Sequence, residues 1–344
     1  MSFNEIIGQK EVKKLLEKSL KKGRIASSYL FCGPEGVGKT ITSFNFAKAM
    51  NCRIHKTDSC PNDTSAKKCP SCRKIDLFSH PDVKILFPVP KKIREENSRN
   101  ELLKEGKIHI YQKTEVISID DVRDVEEMLL MKPFDINKRV VIIIDTEAMT
   151  EEAQNAFLKV LEQPPRDTTI ILTSSKPERL FSTIRSRCQK ITFKRLSREE
   201  IKGFLQKKGE LTDEEIDLIC LLSNGSIKNV MEFLDEDRIM ERELLKTIVI
   251  KKDYEKLSET FNKESLEKFI SFLLPLFRDI NIVMTGDNLL NPDIENYVRS
   301  VHKKYSMDEL INTVELLGNS LINISRNINP ELISNVVYDR LKEG

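Results

Sequence analysis

The sequence lacks the features that mark membrane-spanning and secreted proteins. None of its apolar runs reaches the ~18 consecutive residues that a helix needs to cross a bilayer. The first residues contain no apolar core of the kind that a secretion signal requires. Low-complexity tracts and repeats of fixed period are absent as well. These absences predict a soluble protein of the cytoplasm with no membrane partner.

The chain also has little net charge and no tryptophan. Its 56 lysines and arginines nearly balance 54 aspartates and glutamates, which leaves a formal charge of +2. A strongly basic surface for nucleic acid is therefore excluded for the chain as a whole, although local basic faces and DNA contacts within a larger assembly stay open. Hydrophobic residues at 39% and charged residues at 32% are typical of a globular protein. At roughly 100–200 residues per domain, the length predicts two or three domains.

The first half of the sequence alternates short apolar runs with helical patterns. The β-rich runs 29–32, 140–144 and 169–172 predict strands. Helices are predicted at 39–50 and 151–161, and this alternation is typical of a parallel sheet with helices on both faces. After about residue 193 only helical patterns continue. The predicted fold class is therefore α/β followed by all-α.

These changes of pattern predict three domains. An α/β domain covers 1–193, a small helical domain covers 194–244, and a further helical domain covers 245–344. A Ser-x-x-Glu capping box beginning at Ser197 opens the first of the helical domains. The charged segment 91–107 interrupts the α/β domain. We interpret it as a solvated surface loop, with folding on DNA or on a protein partner as the alternative.

One segment between a predicted strand and a predicted helix matches a phosphate-binding loop, G-x-x-x-x-G-K-[ST], in full. Glycines allow the backbone N–H groups to surround phosphate oxygens, and the helix N-terminus adds positive potential. Lys39 is predicted to neutralise the β- and γ-phosphates of ATP, and Thr40 to ligate Mg²⁺. The alternatives are a turn that matches the pattern by chance and a loop that has lost nucleotide binding. The predicted ATP-binding residues of this loop are Gly33, Pro34, Glu35, Gly36, Val37, Gly38, Lys39 and Thr40.

A carboxylate at the end of another strand completes the predicted nucleotide site. Asp145 ends the run Val-Val-Ile-Ile-Ile-Asp and is predicted to help Thr40 hold Mg²⁺. Many ATPases place a glutamate directly after this aspartate to polarise the attacking water, but here that position is Thr146. Glu147 follows one residue later. In a strand its side chain would point to the face opposite that of position 146, so Glu147 would not simply replace the missing glutamate unless the strand ends in a turn there. The sequence therefore supports the binding of ATP with Mg²⁺ but not rapid hydrolysis.

Four of the seven cysteines lie close together in the sequence. A disulfide framework is not expected in a cytoplasmic protein. One Cys-x-x-Cys pair alone would also fit a redox motif, but four thiolates fit a closed tetrahedral site for structural Zn²⁺. His55 is an alternative ligand in place of Cys52 or Cys60. The predicted zinc ligands, in a module spanning 52–72, are Cys52, Cys60, Cys69 and Cys72. The remaining cysteines, predicted to be ordinary buried residues, are Cys32, Cys188 and Cys220.

Together these motifs resemble one family. Phe3-Asn-Glu-Ile-Ile-Gly-Gln9 resembles the opening box of AAA+ clamp-loader subunits, and the P-loop follows at the expected distance. The cysteine module after the P-loop helix resembles that of the gamma and delta prime subunits of bacterial DNA polymerase III. Residues 153–165 resemble the helix that follows the family's aspartate, and Ser186-Arg187-Cys188 resembles its Ser-Arg-Cys box.

The resemblance is strong over residues 1–235 and weaker through 277–280 and 289–293. It implies an AAA+ P-loop domain, a small helical lid domain and a C-terminal helical collar domain. It also implies a hetero-pentamer with the other loader subunits, gamma or tau and delta. Such a pentamer opens a sliding clamp and loads it onto primer-template DNA.

The resemblance further assigns roles to four residues. Arg187 would be an arginine finger that reaches the ATP of a neighbouring subunit, with an ordinary surface arginine as the alternative. Ile7 would line the adenine pocket. Ser175 would be the first sensor, or else a plain serine at a strand end. Lys228 would be the second sensor, where active subunits usually have arginine, whose forked geometry lysine lacks.

Two subunit types of the family compete for this chain. Residues 79–83 and the wording of the P-loop resemble delta prime, whereas gamma carries Asp-Glu where this chain has Asp145-Thr146. We therefore favour delta prime, with weak or absent ATPase activity of its own, and keep gamma as the alternative. A stand-alone AAA+ remodeller would require the missing Asp-Glu pair. A scaffold with a vestigial P-loop would be expected to have lost Lys39 or Thr40, and both residues are present.

Overall fold

The computed structural model describes most of the chain, and the described residues form two compact units. The described residues are 2–55, 58, 60, 68–90, 115–134, 138–209, 211–234, 236–251, 263–283, 289, 294–325 and 328–343. Unit 1 consists of Met1–Phe204 with Gly225–Lys228, and unit 2 of Leu205–Asn224 with Asn229–Gly344. The charged segment 91–107 and most of 289–293 lie outside the described residues. The predicted boundaries at 193 and 244 stay predictions.

Unit 1 contains a parallel five-stranded sheet with the order β2-β3-β4-β1-β5. The register places Leu30 of β1 between Leu172 of β4 and Lys190 of β5. The three inner strands are buried along their whole length, because helices cover both faces of the sheet. The strands are β1 (Ser28–Cys32), β2 (Val83–Leu86), β3 (Arg139–Ile143), β4 (Thr168–Ser174) and β5 (Gln189–Thr192).

Two apolar clusters lie on the two faces of the sheet. One packs Phe46 of the P-loop helix against Tyr29 and Phe31 of β1, and its aromatic rings meet edge to face. The other packs Phe157 against strand residues such as Leu172. The helices of unit 1 are α1 (Lys10–Lys21), α2 (Lys39–Asn51), α3 (Pro70–Asp76), α4 (Ile119–Leu130), α5 (Glu151–Glu162), α6 (Ser182–Arg187) and the greater part of α7 (Arg198–Gln206).

Unit 2 is helical throughout its described part, and one apolar cluster holds it together. Phe269, Leu273 and Phe277 repeat at intervals of four along one helix and are buried in that cluster. Its helices are α8 (Asp213–Leu222), α9 (Ile227–Phe233, whose first residues belong to unit 1), α10 (Glu236–Lys251), α11 (Lys263–Ile282), α12 (Glu295–Val301), α13 (Met307–Ser325) and α14 (Pro330–Glu343).

These elements confirm the predicted fold class, an α/β domain followed by helices. The three predicted strands are present as β1, β3 and β4, with ends that differ by at most two residues from the predicted ones. The two edge strands of the described sheet, β2 and β5, were not predicted, because they are short and partly polar. Within the described part of the chain, no helix combines the length and apolar character needed to span a bilayer.

Candidate functional site

The predicted phosphate-binding loop lies between β1 and α2, as the sequence indicated. Gly36 and Gly38 have φ angles of 74° and 97°, a left-handed region that favours glycine. A side chain at Gly36 would also collide with Ser226 and Lys228. The loop is anchored to the sheet by the N–H of Gly33, which donates to the carbonyl of Ser174 at the end of β4 (3.2 Å). The N-terminus of α2 and the ends of two strands therefore meet at this loop.

Lys39 is buried inside the loop, with 6% of its surface exposed. Its ammonium group donates to the carbonyls of Gly33 (2.7 Å) and Pro34 (2.6 Å). Burial lowers the pKa of Lys39, and the nearby carboxylates of Asp145 and Glu147 oppose that shift. The cation is thus held by neutral carbonyls, and a phosphate group is a stronger partner for it than they are.

Asp145 follows β3, and its carboxylate lies close enough to the ammonium group of Lys39 for the two charges to interact. Its φ of 49° is left-handed, and its N–H donates to the hydroxyl of Thr173 (3.2 Å). Burial, and then repulsion from Glu147, raise the pKa of Asp145 to about 6. The carboxylate of Asp145 and the hydroxyl of Thr40, in the first turn of α2, are the hard oxygen donors that Mg²⁺ prefers. The residues present therefore fit a nucleotide-bound Mg²⁺.

The chain turns immediately after Asp145, so the strand alternation does not apply to Glu147. Residues Thr146–Ala148 form a short 3₁₀ helix. Thr146 is fully buried, and its hydroxyl bonds to the carbonyls of Ile143 and Thr173 (both 3.1 Å), which leaves it no role in proton transfer. Glu147 instead reaches the end of β4. Because the strand ends in a turn directly after Asp145, the condition that the sequence set for Glu147 to replace the missing glutamate is met.

Glu147 and the predicted first sensor, Ser175, form one hydrogen-bonded unit. One oxygen of Glu147, Oε1, accepts bonds from the N–H (2.9 Å) and the hydroxyl (2.6 Å) of Ser175 and from the N–H of Lys176 (3.2 Å). Burial alone would raise the pKa of Glu147, but these bonds outweigh it and lower the pKa. The other oxygen, Oε2, is buried and has no hydrogen-bond partner among the described residues. Glu147 therefore stays ionised beside Asp145.

The predicted second sensor, Lys228, contacts the P-loop directly. Its ammonium group lies 2.5 Å from the carboxylate of Glu35, and the N–H of Ile227 donates to the carbonyl of Gly36 (2.9 Å). Ile7 is half-buried and lies two residues before the buried Gln9 in the sequence.

Gln9 itself was not among the predicted site residues. It donates to the carbonyls of Val37 (3.2 Å) and Lys194 (2.6 Å) and accepts from the N–H of Lys194 (3.3 Å). It thereby joins the P-loop to the chain that follows β5. A polar residue at the end of the opening motif is the signal that could have identified it.

Arg187 is the last residue of α6, and its hydrogen bonds do not go to the P-loop. Its guanidinium donates through Nη1 to the carbonyl of Thr183 (3.0 Å) and through Nη2 to the carboxylate of Glu162 (2.7 Å), the last residue of α5. About a third of the Arg187 side chain, 34%, is exposed. The structure thus presents this arginine at the surface instead of placing it in its own chain's nucleotide site.

The four clustered cysteines come together in space. Their sulfur atoms all lie within 4.8 Å of one another, and the Sγ atom of Cys52 lies 3.8 Å from that of Cys60 and 4.0 Å from that of Cys69. Four sulfurs at ~2.3 Å from a tetrahedral Zn²⁺ would be about 3.8 Å apart. Cys60, Cys69 and Cys72 are buried, and Cys52 is half-buried. The donor set and its spacing fit zinc.

The surroundings of the sulfurs also fit metal ligation. The N–H of Cys72 donates to the sulfur of Cys69 (3.4 Å), and the N–H of Cys69 donates to that of Cys60 (3.4 Å). Burial would raise the pKa of Cys69, but the N–H donors around it outweigh burial and lower the pKa to about 7. His55 is exposed, contacts Cys52 through its backbone, and is not among the clustered ligand groups of the described residues. This arrangement favours the four cysteines over His55 as the ligand set. The other three cysteines are buried and unbonded to one another, as predicted.

The chain is similar to clamp-loader subunits of known proteins. It is 25% identical to the DNA polymerase III subunit delta' of Bacillus subtilis over 99% of this chain and 98% of that protein. It is 27% identical to the subunit tau of the same organism over 71% of this chain but only 39% of that protein, so it spans about two fifths of the tau subunit. A crystal structure of a DNA polymerase III gamma subunit-related protein from Thermotoga maritima shares the fold, with a TM-score of 0.50, 18% identity and coverage of 96% of this chain and 98% of that one.

A family profile extends this similarity. The profile described as DNA polymerase III, delta subunit matches residues 8–197, which contain the P-loop, the four cysteines, Asp145 and Arg187. The match covers more than half of the chain. The chain therefore belongs to the DNA polymerase III, delta subunit family, a family of clamp-loader AAA+ proteins.

Proposed function

We propose that the chain is the delta prime subunit of a bacterial DNA polymerase III clamp loader. It would help the loader open the sliding clamp and place it on primer-template DNA in the cytoplasm, and would supply Arg187 to the ATP site of a neighbouring subunit. The observation that carries this proposal is the burial of Thr146 where an active ATPase has its glutamate. The similarity to a delta' subunit over nearly the full length of both chains supports it.

The nucleotide site of this chain is proposed to hold Mg–ATP with little turnover. Lys39 and the backbone of the loop would bind the phosphates, and Thr40 and Asp145 would hold the Mg²⁺, which neutralises phosphate charge. Lys228 must leave Glu35 to reach a phosphate group, since the two side chains form an ion pair. The Ser175 hydroxyl is already engaged by Glu147. These engagements favour holding nucleotide over hydrolysing it.

A gamma-type ATPase is the second candidate, and one observation favours it. Glu147 is ionised, lies close enough to Asp145 to raise its pKa, and has one buried oxygen without a hydrogen-bond partner in the described residues. If Glu147 activated water, the isolated chain would hydrolyse ATP and DNA would stimulate it. Robust DNA-stimulated turnover by the purified chain would therefore favour gamma over delta prime. A stand-alone remodeller would also hydrolyse ATP alone but would not bind other loader subunits.

Replacing Asp145 by asparagine is expected to stabilise the nucleotide-free chain and to weaken its binding of Mg–ATP. Burial raises the pKa of Asp145 from 3.8 to about 6, so the ionised carboxylate opposes folding at pH 7. Its contribution to stability is most favourable below about pH 4 and is lost as the pH rises through about 6. The variant should gain roughly 1–3 kcal/mol at pH 7 and lose roughly 10- to 100-fold in affinity for Mg–ATP.

Chemical denaturation at pH 7 and pH 4, together with calorimetric titration with Mg–ATP, measures both effects. The gain in stability should disappear at pH 4, where both proteins are neutral at this position. Asp124→Asn is the matched control, because Asp124 is exposed on α4 and should change neither quantity. A variant that binds Mg–ATP as the wild type does would contradict the assigned role of Asp145.

Unit 2 carries a surface suited to assembly with the other loader subunits. Large apolar side chains at intervals of four, three and eight residues lie on one exposed side of α13, a spacing that places them in a stripe along the helix. This collar stripe consists of Met307 (58% exposed), Ile311 (48%), Val314 (38%) and Ile322 (48%). Exposing such an apolar stripe to water is unfavourable in free energy, and burial against a collar domain of another subunit would remove this penalty.

Co-purification with the gamma or tau subunit, the delta subunit and the sliding clamp of the same organism tests the proposed function. The mixed subunits should elute together as one assembly, and the chain should be required for clamp loading. Ile311→Lys combined with Ile322→Lys should abolish co-elution while the chain stays folded, because both side chains are exposed. Asn312→Lys, an exposed position on another side of the same helix, should assemble normally. A chain that elutes alone would contradict membership of the loader.

A further inference from the structure

Arg187 is held by the ends of two helices. Glu162 closes α5 and accepts from Nη2 of Arg187 at 2.7 Å, and the carbonyl of Thr183, in the first turn of α6, accepts from Nη1 at 3.0 Å. The two acceptors engage different nitrogens of the same guanidinium. Because the guanidinium is planar and rigid, two bonds to different nitrogens fix its direction as well as its place.

The restrained guanidinium keeps capacity for a further anion. Arginine carries five N–H donors, and two of those of Arg187 are used by Thr183 and Glu162. The remaining donors have no partner among the described residues, and 34% of the side chain is exposed. Arg187 is therefore oriented by its own chain and still open to a charged oxygen from outside it.

The location of Glu162 makes a purely stabilising role a poor explanation. A carboxylate in the last turn of a helix is repelled by the negative end of the helix dipole, and this position favours a cation. The ion pair with Arg187 is also half-exposed, with 50% of the Glu162 side chain accessible, and exposed ion pairs contribute little to stability. What the pair does provide is a fixed orientation of the arginine.

We propose that Glu162 is a positioning residue that orients the Arg187 finger for the nucleotide of a neighbouring subunit. This inference rests on the proposed function, because it requires Arg187 to act in trans. Glu162 would restrict the conformations of the long, flexible Arg187 side chain and hold its guanidinium in place before the neighbouring nucleotide approaches. Its effect would therefore reach the catalytic rate at the neighbouring site and not the affinity of that site for ATP.

Glu162→Gln provides the test, measured in the fully assembled loader whose other ATP sites are inactivated in their P-loops. The glutamine keeps the size of the side chain but removes the charge that holds the guanidinium. At the site served by Arg187, kcat should fall roughly tenfold with an unchanged KM for ATP. In the Arg187→Ala background, adding Glu162→Gln should have no further effect, because Glu162 acts through Arg187. Glu151→Gln, at the exposed opposite end of α5, is the matched control and should behave as wild type.

The outcomes separate the inference from the proposed function. If Arg187→Ala lowers kcat but Glu162→Gln does not, the positioning role is overturned and the finger stands. If Arg187→Ala itself leaves kcat unchanged, the finger role fails and the inference fails with it. A raised KM, or an additive loss in the double variant, would show that Glu162 acts by another route and would also overturn the inference. Equal thermal unfolding of the variants excludes loss of fold as the cause.

Discussion

Arg187→Ala is expected to lower ATP turnover at the neighbouring subunit's site by about a thousandfold, the lower range for arginine fingers. An arginine finger stabilises the negative charge that develops on the γ-phosphate in the transition state, and alanine in place of the proposed finger would leave that charge to water. Arg187 is exposed and rests on only one ion pair and one carbonyl, so the variant should fold normally. Single-turnover hydrolysis in the assembled loader, with its other sites inactivated, isolates the effect.

Arg185→Ala is the matched control for this variant. Arg185 lies two residues earlier on the same short helix and is exposed, but it does not belong to the Ser-Arg-Cys box. It should retain nearly full turnover. Unchanged turnover in Arg187→Ala, or an equal loss in both variants, would contradict the selection of Arg187. The isolated chain should show the same low hydrolysis with and without the substitution, since the proposed finger would serve another chain's nucleotide.

The sequence revealed the parts of the fold that local patterns encode. Strands β1, β3 and β4 are buried on both faces, so they read as continuous apolar runs. The P-loop residues are contiguous and the four cysteines are closely spaced, so both binding sites can be recognised from the sequence alone. Edge strand β5 has mostly exposed, polar residues and no comparable signal.

The arrangement of side chains around the site depended on features that the sequence does not display. Glu147 turns towards the end of β4 because Asp145 adopts a left-handed backbone conformation. No local sequence pattern predicts that conformation. The ion pair of Lys228 with Glu35 joins residues 193 positions apart. Long-range pairs of this kind follow from the tertiary fold, so motif spacing alone could identify the residues but not their partners.

Cys72→Ser is expected to remove zinc from the chain and to destabilise unit 1. The side chain of Cys72 is fully buried, and burial strongly raises the pKa of its thiol in the absence of metal. A bound Zn²⁺ compensates the clustered thiolates, and this compensation is lost when one ligand is removed. Structural zinc contributes about 10–16 kcal/mol to folding in isolated zinc-finger peptides. In this larger domain even about 3 kcal/mol would lower the unfolding temperature by roughly 6–12 °C.

The location of the cysteine module suggests which properties the loss of zinc should spare. Lys48, near the end of α2, pairs with Asp76 of α3 at 2.9 Å, so the module is attached to the far end of the P-loop helix. About 18 Å of helix separates Asn51 from Lys39 at 1.5 Å per residue. Stability should therefore fall much more than affinity for Mg–ATP.

Metal analysis and thermal unfolding of the purified chain check this prediction. The wild type should contain one zinc per chain, and Cys72→Ser should contain none. Incubation of the wild type with a strong chelator should reproduce the low unfolding temperature of the variant. Cys220→Ser, a buried cysteine of unit 2, should retain zinc and serves as the control for loss of a buried thiol. Because the ligands must be deprotonated, lowering the pH should release the metal, and raising the pH should tighten its binding. Full zinc content in Cys72→Ser would mean that the four cysteines do not act as one ligand set.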